Sequence, residues 1–208
     1  MKNLQIIIVS ILFALNLAPA SAGALEQSDK LAIKHLLQTE SFVSRVYHDS
    51  RQLLTTGVGH LLTAKEAKSL GIRVALHSNG MGWTALDEPN VFPNDSFLER
   101  ENLKAGDLIG TFLDDYYKHR NIAKRTFGNK WHTFNKYMKV AMIDHAFQLG
   151  GFSDWPALVS EAKDGKHPLY TAMQDNYRAS LNYEQTTNRV KARIKLLEKA
   201  ENHNKGSL

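Results

Sequence analysis

Residues 41–59 (SFVSRVYHDSRQLLTTGVG) interrupt a chain whose other patterning is mostly helical. β-Branched and aromatic residues flank the polar run His48-Asp49-Ser50-Arg51-Gln52, which is the pattern of two short strands joined by a turn. A sheet this small cannot share the core of the helices around it. The expectation is an α+β chain, with a small antiparallel β-sheet lobe, a larger helical lobe and a cleft between them.

The helical segments are read from spacing. In residues 26–39, Leu31, Ile33, Leu36 and Leu37 fall close to one helical stripe, with Ser28 as the N-cap and an end near Glu40. After the strands, Thr63 and Glu66 have the spacing of a capping box for a short helix that Gly71 ends. Residues 72–95 read as a long irregular insertion, rich in Gly, Pro and Asn. Further helices are expected over 101–117 and over 136–149, the second closed by Gly150-Gly151. Its stripe of Met138, Met142, Ala146 and Leu149, with Phe147, is assigned to the core. Asp154 is expected to cap the next helix, Pro168 to open another, and Thr187 to cap a last one. That last helix sets Val190, Ile194 and Leu197 on its core side under a basic outer face, before a frayed tail from Glu201.

The N-terminus carries a separate message. Lys2 precedes the apolar run at 4–17 and the small residues APASAGA, the layout of a secretory signal with cleavage after Ala22 or Ala24. An apolar run of about 14 residues is shorter than the ~20 of a spanning helix, although a retained N-terminal anchor is the alternative. The mature protein is thus expected to be exported, periplasmic or secreted, with no stable membrane insertion. It has no cysteine, so packing alone must hold it. The net charge of +5 favours anionic envelope polymers or membrane surfaces over nucleic acid as partners.

Within the strand region, Glu40 stands at the junction with the first helix, where partial burial favours a general acid. Asp49 lies at the turn and Thr55 on the returning strand. An inverting glycosidase needs an acid on one side of the scissile bond and a water-positioning group on the other. Polar turn residues also arise for local backbone reasons, so spacing alone does not choose between a turn and a site. The glycines of Gly57-Val58-Gly59 are not a nucleotide loop, since no third glycine and no βαβ unit accompany them. No histidines are spaced as paired metal ligands on a helix, and there is no H-E-x-x-H.

The run T-E-x8-D-x5-T-x-G-x-G-H-L-L-T, from Thr39 to Thr63, resembles the active-site hairpin of phage T4-type lysozymes, the endolysins of glycoside hydrolase family 24. Tyr47, two residues before Asp49, belongs to the match. The segment 146–152 (AFQLGGF) is similar to that family's Phe-Gln-x-Gly block, and 184–194 (EQTTNRVKARI) to its Gln-Thr-x-Asn-Arg motif. The resemblance implies a lysozyme-like fold and a muramidase that cuts the β-1,4 bond between N-acetylmuramic acid and N-acetylglucosamine without a cofactor. It implies Glu40 as general acid, with Asp49 and Thr55 placing the nucleophilic water and Arg189 pairing with the catalytic glutamate. Gln148 is either a sugar contact or a hydrogen-bonded core group. Gly59 allows close backbone approach, and His60 is structural, paired with a carboxylate. Trp83 and Phe92 are candidate sugar-stacking groups in the insertion.

Two features depart from that family: a cleavable signal and the 72–95 insertion. They leave phage and cellular origins level, and an immunity or inhibitor protein open as a partner of a monomeric enzyme. The rival expectations are a lytic transglycosylase and a non-catalytic peptidoglycan-binding module on the same fold.

Overall fold

A computed structural model describes residues 26–40, 42–49, 51–78, 80, 82–86, 105–164 and 183–205. The signal segment, Phe92 and the helix expected at Pro168 lie outside the described residues. The chain divides into two compact units, residues 40–115 and the flanking segments up to Thr39 and from Tyr116 onward. Mixed α and β structure with small antiparallel sheets is what the strand and helix patterning requires.

In the 40–115 unit, β1 (Val43–His48), β2 (Leu54–Gly57) and β3 (His60–Leu61) form an antiparallel sheet in the order β1-β2-β3. Tyr47 pairs with Thr55, which pairs in turn with Leu61; His48 pairs with Leu54, and a register shift falls between Val43 and Tyr47. Alternation along each strand therefore gives the sheet two different faces. Val46, Leu54 and Leu62 lie on one face and form a core with Ala67 and Ile72. Tyr47 and Thr55 lie on the other. Each fully buried Leu or Ile in such a core contributes about 1.5–3 kcal/mol by leaving water.

Helix α2 (Ala64–Ser69) is set by its ends. Thr63 and Glu66 form the reciprocal capping box, and Gly71, at φ +71°, ends the helix. The bonds Gly71 N to Lys68 O and Ile72 N to Ala67 O complete a Schellman motif.

The region expected to be irregular contains a two-stranded hairpin, β4 (Val74–Leu76) and β5 (Trp83–Ala85). Three apolar or β-branched residues per strand are too few for alternation to register in the sequence. The turn is nonetheless well formed, with His77 N bonded to Gly82 O and Gly80 at φ +71°.

In the other unit, α1 (Gln27–Thr39) buries Ala32, Ile33, Leu36 and Leu37. Its cap differs from expectation, because Ser28 lies inside the first turn and its hydroxyl donates to Glu26. Asp29 instead reaches back to the amide of Glu26, at 3.1 Å. The same carboxylate accepts from the Tyr116 hydroxyl at 2.6 Å and from Arg120 Nε at 2.6 Å, which is how a buried charge is satisfied here.

Helix α3 (Ala105–Phe127) runs ten residues beyond its expected end because its stripe continues through the buried Ala123 and Phe127. A 3-10 turn (Gly128–Thr133) leads to α4 (Lys136–Leu149), which packs against both α1 and α6 (Tyr183–Lys205). A helix between two others is buried nearly all round, and Val140 through Ala146 are buried without a break. Leu149, assigned to the core, is instead 42% exposed, and Phe147 is half-buried. They fall in the last turn, where Gly150 closes the helix in the left-handed conformation at φ +77°.

Helix α5 (Pro156–Asp164) starts at a proline, a favoured first position, two residues after Asp154. Helix α6 begins four residues ahead of Thr187, so that threonine does not cap it. It also continues through the expected tail as far as Lys205, with the Ala200 carbonyl accepting from Asn135 at 2.8 Å. Among the described residues, no helix is long and apolar enough to cross a membrane.

Candidate functional site

Six of the expected site residues, Glu40, Tyr47, Asp49, Thr55, Gly59 and His60, come from the single unit 40–115. Glu40 is its first residue, directly after α1, and is partly buried. Gly59, at φ +75°, brings its backbone against the Glu40 side chain: a Cβ built there would lie 3.7 Å from the carboxyl carbon and from Oε1. A positive φ is a conformation glycine adopts without the penalty other residues carry. The turn after β2 thus lets the backbone pass beside the acid.

Tyr47 responds to both carboxylates. Burial, reinforced by the charges of Glu40 and of Asp49, pushes its hydroxyl up to about 12. The phenol therefore stays protonated across the physiological range and remains an O–H donor.

Asp49 is fixed by the turn it forms. Its Oδ1 accepts from the amides of Arg51 at 2.8 Å and Leu53 at 2.9 Å, while Arg51 Nε and Nη2 each lie 3.3 Å from Oδ2. The backbone closes the same turn through Asp49 N to Leu53 O at 2.9 Å, with Gln52 at φ +65°. Both readings of this aspartate, local turn-former and positioned carboxylate, describe one geometry. Thr55 is 2% exposed and its hydroxyl donates to Leu53 O at 2.9 Å. Thr56 is equally buried, but on the opposite side of the strand, where the row contains His60.

His60 meets two carboxylates. Nδ1 is 2.7 Å from Asp115 Oδ2 and Nε2 is 3.2 Å from Glu66 Oε1. Burial alone would lower its pKa; the hydrogen bond and charge of Asp115, helped by Glu66, raise it instead. For Glu66, burial acts upward and is overcome by the Thr63 hydroxyl and amide and by His60, which lower it. A raised histidine stabilises fully below its unfolded value of 6.5 and loses that contribution as pH rises through the folded value. A lowered glutamate stabilises above 4.5 and loses its contribution as pH falls. The cluster should therefore contribute most between pH 4.5 and 6.5. His60→Asn is expected to cost about 2 kcal/mol in that window and to flatten the loss of stability above it, as read from urea unfolding across pH.

Arg189 and Gln148 belong to the other unit, and Arg189 is held by a carboxylate that sequence spacing did not single out. Asp144 is fully buried. Its Oδ1 accepts from Arg189 Nε at 3.1 Å and Nη2 at 2.9 Å, and its Oδ2 from Arg193 Nε at 2.6 Å. His35 Nε2 stands 3.5 Å from the same Oδ1. Burial by itself would raise the pKa of Asp144; Arg193 and Arg189, with His35, hold it far below the usual carboxylate range.

Arg193 corrects the expectation of a solvated basic face on the last helix, since it is fully buried and also bonds Gln148 Oε1 at 2.6 Å. Gln148, half-buried, thus has its amide oxygen engaged by Arg193. Next to this cluster, burial and the charge of Arg193 push His145 down to about 3, so its ring is neutral where it stacks on Phe152.

The spacing Asp144/Gln148 on α4 and Arg189/Arg193 on α6 is i, i+4 in both helices. Two such polar pairs inside apolar stripes were the available signal for this network.

Trp83 lies on β5, where it pairs with Leu76 and is half-buried. Among the described residues, no group of three or more His, Asp or Glu is arranged to hold a metal. No protein-family model and no curated protein matches this chain.

Proposed function

We propose that the protein is an exported peptidoglycan hydrolase, a muramidase acting on the β-1,4 bond between N-acetylmuramic acid and N-acetylglucosamine without a cofactor. The observation that carries this reading is the placement of Glu40, Asp49 and Thr55 in one compact unit, with the Gly59 backbone passing against the Glu40 carboxyl. Glu40 protonates the leaving glycosidic oxygen, Asp49 orients and deprotonates the attacking water, and Thr55 sets the strand from which that water is approached. Tyr47, on the same strand face as Thr55, retains its proton. Arg189, held by Asp144, matches the arginine to which the resemblance gives the role of supporting the glutamate. An N-terminal signal takes the enzyme to the glycan strand. The positive charge of the chain favours an anionic wall.

One observation favours a second reading. The Asp49 oxygens already accept four hydrogen bonds from within the turn, and a lytic transglycosylase needs a glutamate but no water-positioning aspartate. Mass spectrometry of the products from purified peptidoglycan separates the two. Reducing N-acetylmuramic acid ends support hydrolysis; anhydro ends support the transglycosylase. Tight binding without turnover rejects both in favour of a non-catalytic module.

A further inference from the structure

The β4–β5 hairpin meets the segment around Asp49 at two points. Its Val74 and Ala85 pack against the core cluster that includes Val46 and Leu54. From the same hairpin, Thr84 Oγ1 stands 3.5 Å from His48 Nε2, and His48 is the residue immediately before Asp49. Gly82 lies against Leu53: a Cβ at Gly82 would meet Leu53 Cδ2 at 3.1 Å and Cδ1 at 3.3 Å, tighter than ordinary van der Waals contact. Leu53 is itself buried, and it holds Asp49 twice, through N–H to Oδ1 and through C=O to the Asp49 amide.

We propose that this hairpin is a brace that fixes the Asp49 carboxylate, with Gly82 and Thr84 as positioning residues. The inference rests on the reading of Asp49 as the water-orienting group. Its physical basis is that a turn closed only by its own hydrogen bonds can move as a unit, whereas one gripped at His48 and at Leu53 cannot. A displacement of about 1 Å in a positioned group is enough to cost up to ~100-fold in rate. Absence of a side chain at residue 82 is what permits the grip on Leu53.

The test uses the full chain with Gly82→Val, Thr84→Val and Thr84→Ser, each alone and combined with Asp49→Asn. Kinetics on purified peptidoglycan are paired with amide hydrogen exchange at Arg51 and Leu53, the two amides bonded to Asp49 Oδ1. The expected result is a fall of about 10-fold in kcat for Gly82→Val and Thr84→Val with little change in KM, faster exchange at both amides, and recovery of both readouts in Thr84→Ser. In the Asp49→Asn background the same substitutions should add nothing to the loss. Unchanged exchange in both valine variants, or a kcat loss that persists in full without the Asp49 carboxylate, overturns the brace. If the unsubstituted protein has no activity on peptidoglycan, the muramidase reading fails, and the exchange measurement still decides whether the hairpin holds the turn.

Discussion

Glu40→Gln is expected to lower turnover on purified peptidoglycan by roughly 10²–10⁴-fold, the range associated with removing a general acid. Glutamine keeps the shape of the side chain and its packing against Gly59, but it has no proton to give the leaving oxygen. Stability should change by no more than about 0.5 kcal/mol, since Glu40 is only partly buried. Release of reducing ends and thermal unfolding, measured on the same preparation, check the two halves of the statement. Full activity in this variant would remove the assignment of the acid, and with it the glycosidase reading. The substitution does not distinguish a hydrolase from a transglycosylase, because both use the glutamate. Asp49 carries that distinction through the water it serves.

The features legible in the sequence were those decided within a few residues. The capping box at Thr63 and Glu66, the stop at Gly71 and the left-handed close at Gly150 each depend on the side chain, or its absence, at one position. The end of the first helix and the paired strands around Asp49 were set by local pattern in the same way. What sequence reading missed depends on distant partners. Ser28 looked like a cap until the buried Asp29, pinned by Tyr116 and Arg120 from far along the chain, took over the Glu26 amide. Arg193 falls at helical spacing from Val190 and Leu197, but a cation on that stripe finds its reason only once Asp144 is placed against it, and the β4–β5 hairpin has strands too short for periodicity to reveal. The candidate site divides along the same line. Glu40, Tyr47, Asp49 and Thr55 are close in sequence and could be grouped from it, whereas Asp115, which meets His60, and Asp144, which meets Arg189, lie 55 and 45 residues from their partners and required the fold.

The largest stability effect is expected at Asp144. Asp144→Ala leaves Arg193 fully buried without its carboxylate, and removing one partner of a buried ion pair costs about 3–5 kcal/mol. That is a large share of the 5–15 kcal/mol that holds a typical domain together, so the variant should unfold at much lower urea or prove difficult to purify folded. The cost comes mainly from the stranded cation rather than from any net gain the pair supplied. Asp144→Leu combined with Arg193→Met should therefore be markedly more stable than Asp144→Ala, despite carrying two substitutions. The pH dependence has the opposite sense to that of His60. A carboxylate with a depressed folded pKa contributes its full stability above its unfolded value of 3.8, and loses it only as pH falls below that value toward the folded one. In the unsubstituted protein the Asp144 contribution should persist through mild acid and disappear in strong acid, and the double variant should lack this step. Urea midpoints for the three proteins at pH 7 and at pH 3 measure both effects; equal midpoints for Asp144→Ala and the double variant would show that the buried arginine is satisfied by other groups.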